Sequence, residues 1–211
     1  MNTIALIILF ALLFELVLNG IADYLNLAML KDELPADFEG VYDPGRYRKS
    51  QEYLKVNTRF GWITAVFNLI VLLLFWFGGG FPVLDHWIRS FGYGPSICGL
   101  LYAAVLMLLK GLLSLPFSIY HTFVIEERFG FNQTTRSTFF LDLVKGIGLG
   151  ILLGAPLLAG VLAFFEYTGP NAWWLCWIAV TVYMLGVQFI APTWIMPLFN
   201  KFSPLETGEL R

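Results

Sequence analysis

Ile97-Cys98-Gly99-Leu100-Leu101-Tyr102-Ala103-Ala104-Val105-Leu106-Met107-Leu108-Leu109-Lys110-Gly111-Leu112-Leu113-Ser114-Leu115-Pro116-Phe117-Ser118-Ile119 contains a single charge, Lys110. A helix of this length is about 35 Å long, enough to cross a hydrocarbon core of about 30 Å. No alternation of apolar and polar residues supports a strand, and lipid-facing backbone must satisfy its own hydrogen bonds. The stretch therefore predicts a membrane-spanning helix. Four further runs have the same character, at residues 3–22, 60–77, 144–167 and 172–195. The predicted fold class is all-α, a polytopic transmembrane helical bundle of five spans.

Whole-chain composition agrees. Of 211 residues, 58% are hydrophobic and 13% charged, against about 25% charged in soluble domains. Such a chain is neither disordered nor able to cover a water-soluble globule with polar groups. A net charge of −2 gives no basis for nucleic-acid binding. Cys98 and Cys176 lie in or beside apolar runs and imply no disulfide framework. No basic residue precedes Lys31, and no small-x-small cleavage site follows the first apolar run. That run is read as a retained helix, not a signal peptide.

The connections differ in character. In the first, Pro35 should break the helix leaving the membrane. Asp43-Pro44 has the form of an N-cap followed by proline at the first helical position, opening a helix that runs into the second span. The second connection, 78–96, holds Gly78-Gly79-Gly80, Pro82 and Pro95 and reads as a loop. The third, 120–143, carries Glu126-Glu127-Arg128 and a turn-like Phe129-Gly130-Phe131-Asn132. The fourth is Thr168-Gly169-Pro170-Asn171, and an amphipathic tail follows Pro197. Pro116 should kink the end of the third span.

Basic residues set the expected orientation. The first connection holds Lys31, Arg46, Arg48, Lys49, Lys55 and Arg59, the third Arg128 and Arg136, and the tail Lys201 and Arg211. The second has Arg89 alone and the fourth none. The positive-inside rule puts the N-terminus outside and the C-terminus in the cytoplasm. Asn132-Gln133-Thr134 matches a glycosylation sequon but falls on the cytoplasmic side. Trp62, Trp76, Trp87, Trp173, Trp174 and Trp194 lie near span ends, as an interfacial belt requires.

Polar residues inside spans are the candidate functional groups. Glu15, Asn19 and Asp23 form an i, i+4, i+8 stripe, and Lys110, Ser114 and Ser118 form another. Thr64, Asn68, Thr181 and Gln188 add further polarity, each explicable alone by interhelical hydrogen bonding. Two readings of Glu15 and Lys110 stand side by side: both line an aqueous chamber, or they form a structural ion pair. Both lie about 18–20 Å along parallel helices, a depth at which pairing is favourable if the helices are neighbours. Gly146, Gly150 and Gly154 repeat every four residues, a smooth face suited to helix packing; with no strand before them they do not read as a nucleotide loop. His86 and His121 have no partner at i+3 or i+4 and read as ordinary interface residues. No His-Glu-x-x-His, Gly-x-Ser-x-Gly or Walker-type loop is present.

Several runs carry a resemblance. They are Phe91-Gly92-Tyr93-Gly94-Pro95, the stretch from Leu113-Ser114-Leu115-Pro116 through Ile125-Glu126-Glu127-Arg128-Phe129-Gly130-Phe131-Asn132-Gln133-Thr134-Thr135, and Ile190-Ala191-Pro192 with Pro197-Leu198-Phe199-Asn200-Lys201-Phe202-Ser203-Pro204-Leu205. Together with Tyr47, Arg48 and Gln51 they resemble the type I CaaX prenyl protease family, integral-membrane zinc metalloendopeptidases. The resemblance covers residues 1–211 as that family's N-terminal five-helix membrane domain. It implies an intramembrane chamber, partly formed by this chain, for proteolysis of membrane-associated or prenylated C-terminal peptides. Zinc is expected in the complete enzyme, on a His-Glu-x-x-His helix and a later glutamate in a C-terminal half. No counterpart of those ligands is present, so the expectation here is no catalytic residue, no metal ligand, no cofactor and no activity for the chain alone. Its expected partners are the bilayer, the catalytic half and the peptide substrate. A stand-alone non-enzymatic scaffold or transporter-like protein is the alternative, though an odd number of spans without an internal repeat does not fit a common transporter plan.

Overall fold

The computed structural model describes residues 2–31, 33–35, 40, 43–167 and 172–200. The expected fourth connection, 168–171, and the amphipathic tail, 201–211, lie outside the described residues, as does part of the first connection. Among the described residues there is no strand. Five helical stretches are long and apolar enough to cross a membrane, as the apolar runs predict: Thr3–Ala28, Pro44–Phe77, Pro95–Glu126, Arg136–Glu166 and Trp173–Phe199. Among the described residues the buried apolar side chains are Leu84, Ile125 and Phe129 in one part of the chain and Ile88, Cys98 and Cys176 in another. The spans thus leave most of their apolar faces outward, the arrangement of helices solvated by lipid.

Helix α1 (Thr3–Ala28) starts under an Asn2 cap, whose Oδ1 accepts from the Ala5 N–H at 2.8 Å. Helix α2 (Pro44–Phe77) starts where the Asp43-Pro44 pair predicts. Asp43 Oδ1 accepts from the Arg46 N–H at 2.7 Å, and Pro44 occupies a position that needs no donor.

The second connection is not a loop throughout. It contains helix α3 (Gly80–Arg89). Pro82 does not prevent this, because it falls in the first turn, where backbone N–H groups have no helical acceptor. Helix α4 (Pro95–Tyr120) continues past Pro116 and then widens into a π-helical segment, π1 (His121–Glu126). Helix α5 (Arg136–Tyr167) begins eight residues ahead of the apolar run, under Thr135, whose Oγ1 accepts from the Thr138 N–H at 3.1 Å. Helix α6 (Ala172–Ile190) passes into a second π-helical segment, π2 (Ala191–Ile195), and a short α7 (Met196–Phe199).

The chain divides into two compact units: Met1–Trp87 with Met107–Gln133, and Ile88–Leu106 with Thr134–Arg211. In the first, Trp62 Nε1 donates to Asp23 Oδ2 at 2.9 Å, tying α2 to α1. Trp62 is therefore a helix tie as well as an aromatic of the expected belt. Phe117 lies against both Phe60 and Phe67, joining α4 to α2. In the second unit, the start of α4 packs on the end of α5. A Cβ added at Gly99 would meet Leu162 Cδ1 at 3.0 Å, and Ser96 Oγ donates to Glu166 Oε2 at 2.6 Å. Helix α6 joins α5 through Tyr183, whose hydroxyl donates to the Leu153 carbonyl at 2.8 Å. Pro156 has no N–H for the carbonyl one position earlier, Leu152, so this tie falls at the weakened turn of α5.

Candidate functional site

The densest polar arrangement in the first unit is centred on His121. The π turn brings residue i+5 alongside residue i, so Glu126 rather than residue 124 or 125 faces the imidazole. His121 Nδ1 lies 3.5 Å from Glu126 Oε1. Its Nε2 donates to Asn57 Oδ1 of α2 at 2.8 Å, since a carboxamide oxygen can only accept. Phe60 covers the ring at a centroid distance of 6.0 Å. The arrangement ties the end of the third span to α2. Among the described residues it includes no nucleophile.

The structure adds to the reading of His121 as an ordinary interface residue a partner at i+5 and a second on α2. A search at i+3 and i+4 misses it because the local helix is not an α-helix. Asn57 gives no sequence signal, since it lies 64 residues away. His86 is exposed.

The run that follows folds back onto α2. Glu126 O accepts from the N–H groups of Phe131 at 2.9 Å and Asn132 at 3.3 Å. Gly130 makes the reversal at φ +66°, a conformation costly to a residue with a Cβ. Phe129 and Phe131 then meet Tyr53 edge-on, at 5.4 and 4.9 Å. Asn132 Nδ2 donates to Glu127 Oε2 at 2.8 Å. The Glu126–Asn132 run is thus a compact cap, with each residue type placed by its backbone geometry.

The polar residues of the spans are arranged differently. Glu15, Asn19, Asn68, Lys110 and Gln188 are all exposed on their helices, and Ser114 is half-buried. No ion pair joins Glu15 to Lys110 among the described residues, so of the two readings the structural pair finds no support. Equal depth brings two side chains together only on neighbouring helices, and α1 and α4 are not among the helix pairs packed closely together. Thr64 and Thr181 need no neighbouring helix: their hydroxyls donate to the Phe60 and Trp177 carbonyls one turn back, at 3.0 and 2.8 Å. Gly146, Gly150 and Gly154 are exposed, with nothing within 4 Å of an added Cβ.

In the second unit, Lys145 is the polar centre. Its Nζ donates to Asp142 Oδ1 at 3.2 Å and to the Leu198 carbonyl at 3.0 Å, and sits 5.7 Å from the centre of the Phe199 ring. It caps the end of α7 and holds it on the first turns of α5.

Residues 23–201 match the family described as CAAX prenyl protease N-terminal, with five membrane helices. The chain belongs to the CAAX prenyl protease family. It is an N-terminal membrane domain of that family and an integral, multi-pass membrane protein. It is 34% identical over 196 residues to the probable CAAX prenyl protease 1 of Schizosaccharomyces pombe, covering 87% of this chain and 41% of that protein. It is 31% identical over 209 residues to the CAAX prenyl protease 1 homolog of Arabidopsis thaliana, covering 94% and 49%. The crystal structure of S. mikatae Ste24p superposes with a TM-score of 0.82 at 29% identity, covering 94% of this chain and 48% of that one. The chain thus spans less than half the length of each of these CAAX prenyl protease relatives. The Glu126–Asn132 cap and the His121 site both lie inside the matched segment.

Proposed function

We propose that this chain forms the membrane wall of a chamber in which a zinc metalloendopeptidase cleaves membrane-associated or prenylated C-terminal peptides. The observation carrying this reading is the set of polar side chains left open on otherwise apolar spans. Glu15 and Lys110 are exposed on membrane helices and take part in no described hydrogen bond or ion pair. A charge facing lipid at that depth is strongly unfavourable, whereas a charge facing a water-filled interior is not. In the first unit, Glu15, Asn19, Thr64, Asn68, Lys110 and Ser114 belong to that interior in this reading. Gln188 takes the same role within the second unit.

A zinc centre needs three protein ligands and an open position. No group of three or more histidine, cysteine, aspartate or glutamate residues is placed to hold a metal among the described residues. The described residues do not fit the metal, and no chemical step is assigned to them. Zinc and the groups that activate water would come from a C-terminal half of the same protein. The chain's part is to enclose water and substrate, with its N-terminus outside and its C-terminus cytoplasmic.

The chamber is tested by substituting cysteine at positions 15, 68 and 110 and at the apolar positions 13 and 112, then treating membranes with a charged, water-soluble thiol reagent. Positions 15, 68 and 110 should be modified much faster than 13 and 112. Equal and negligible rates at all five would overturn the reading.

A further inference from the structure

Helix α3 presents a surface that neither the family nor the chamber accounts for. At about 100° per residue, Val83, Trp87, Leu84, Ile88 and Phe81 share an arc of roughly 160°. Asp85, His86 and Arg89 occupy the remainder. The apolar arc is divided along its length. Leu84 and Ile88 are buried, at 8% and 2% exposure, while Val83 and Trp87 are open, at 67% and 52%. Phe91 and Tyr93, which follow the helix, are also exposed.

The link from α2 fixes where this open edge lies. Each glycine of Gly78-Gly79-Gly80 is required. A Cβ at Gly78 would sit 2.6 Å from the Leu74 carbonyl oxygen, and Gly79 adopts φ +76°. A Cβ at Gly80 would sit 2.5 Å from the Phe75 ring. Phe81 then packs edge-on against Phe75 at 4.8 Å. The first turn of helix α3 is therefore held against the last turn of a membrane span. The next span begins at Pro95, with five residues between it and the end of α3.

We propose that α3 is an in-plane interfacial helix whose Val83–Trp87 edge enters the headgroup–acyl boundary of the leaflet that α2 reaches at Phe77. The partner is the lipid itself. Connectivity holds the helix at that depth, its apolar arc continues outward beyond what the protein covers, and tryptophan and tyrosine are the side chains favoured there. The opposite arc, with His86, faces the aqueous side of the headgroups.

The test places nitroxide labels on single cysteines at 83, 86 and 87 in the full chain reconstituted into phosphatidylcholine vesicles. Accessibility to oxygen, which concentrates in lipid, is compared with accessibility to a water-soluble nickel chelate. The oxygen-to-nickel ratio should be several-fold higher at 83 and 87 than at 86. Equal ratios at all three, or exclusion of both reagents from 83 and 87, would overturn the proposal; the second outcome would mean that protein covers the edge. A second measurement leaves the fold untouched: brominated phosphatidylcholine should quench part of the tryptophan fluorescence, and Trp87→Phe should lower the quenched amplitude. An unchanged amplitude would also overturn it.

Discussion

His121 and Glu126 face each other from positions five apart, Nδ1 to Oε1 at 3.5 Å, across a single π-helical turn. In an α-helix these positions would point about 140° apart. The wider turn is therefore what creates the contact. It also presents the other ring nitrogen to Asn57, so one side chain closes the turn internally and ties it to α2.

The His121–Asn57 tie should be measurable as a coupling. Asn57→Ala and His121→Ala, alone and combined, should give an interaction energy of about 0.5–1.5 kcal/mol in unfolding from detergent micelles. Strict additivity would show the contact to be idle.

The glycine link predicts opposite signs at different glycines. Gly80→Ala drives a methyl into the Phe75 ring and should destabilise by about 1–3 kcal/mol. Phe75→Leu in the same chain should recover part of that loss. Gly111 lies in open space inside α4, so Gly111→Ala should raise helix stability by up to about 1 kcal/mol. Thermal unfolding of the three variants checks the ordering.

Lys145 holds α7 through the Leu198 carbonyl. Lys145→Met should remove about 1 kcal/mol locally. Its signature would be faster amide exchange over Met196–Phe199, with α1 and α2 unchanged. Uniformly faster exchange across the chain would assign Lys145 a global role instead.

The proposed orientation rests on the basic residues of the first connection. Cysteines placed at 46–55 should react with impermeant thiol reagents only when the cytoplasmic face is opened. Labelling from outside intact cells would reverse the topology.

The isolated 211-residue chain should retain no stoichiometric zinc and cleave no peptide, since its described side chains supply no three-ligand set. Metal analysis beside a peptidase assay decides this. One tightly held zinc per chain with chelator-sensitive cleavage would place the chemistry in this half.

The spans were legible because each is a long apolar run without alternation, and of the two regular structures that lipid permits, helices and closed barrels, only the helix fits such a run. The start of α2 was legible because Asp43-Pro44 combines a cap with a residue that fits the first turn. Helix α3 was hidden by its glycines and Pro82, which signal a loop when counted but act here as a hinge and a first-turn residue. The early start of α5 depends on the Thr135 hydroxyl, a weaker mark than an apolar run. The His121 site was hidden for a different reason. Pattern searches assume one helical period, and the period changes at residue 121. The choice between an ion pair and a chamber for Glu15 and Lys110 was not legible, because sequence gives depth along a helix but not which helices are neighbours.

The π turn has a further consequence, for tolerance to length change. Losing one residue between 121 and 126 would let the helix relax to ordinary i to i+4 bonding, a local gain in backbone geometry. The shorter α turn sweeps nearly the same angle as the wider π turn it replaces, so the residues after it would keep close to their present facing. His121 and Glu126 would then stand four apart, the spacing at which an α-helix brings two side chains together. A single-residue deletion among positions 122–125 should therefore be tolerated better than one in a regular helical turn, which rotates everything beyond it by about 100°.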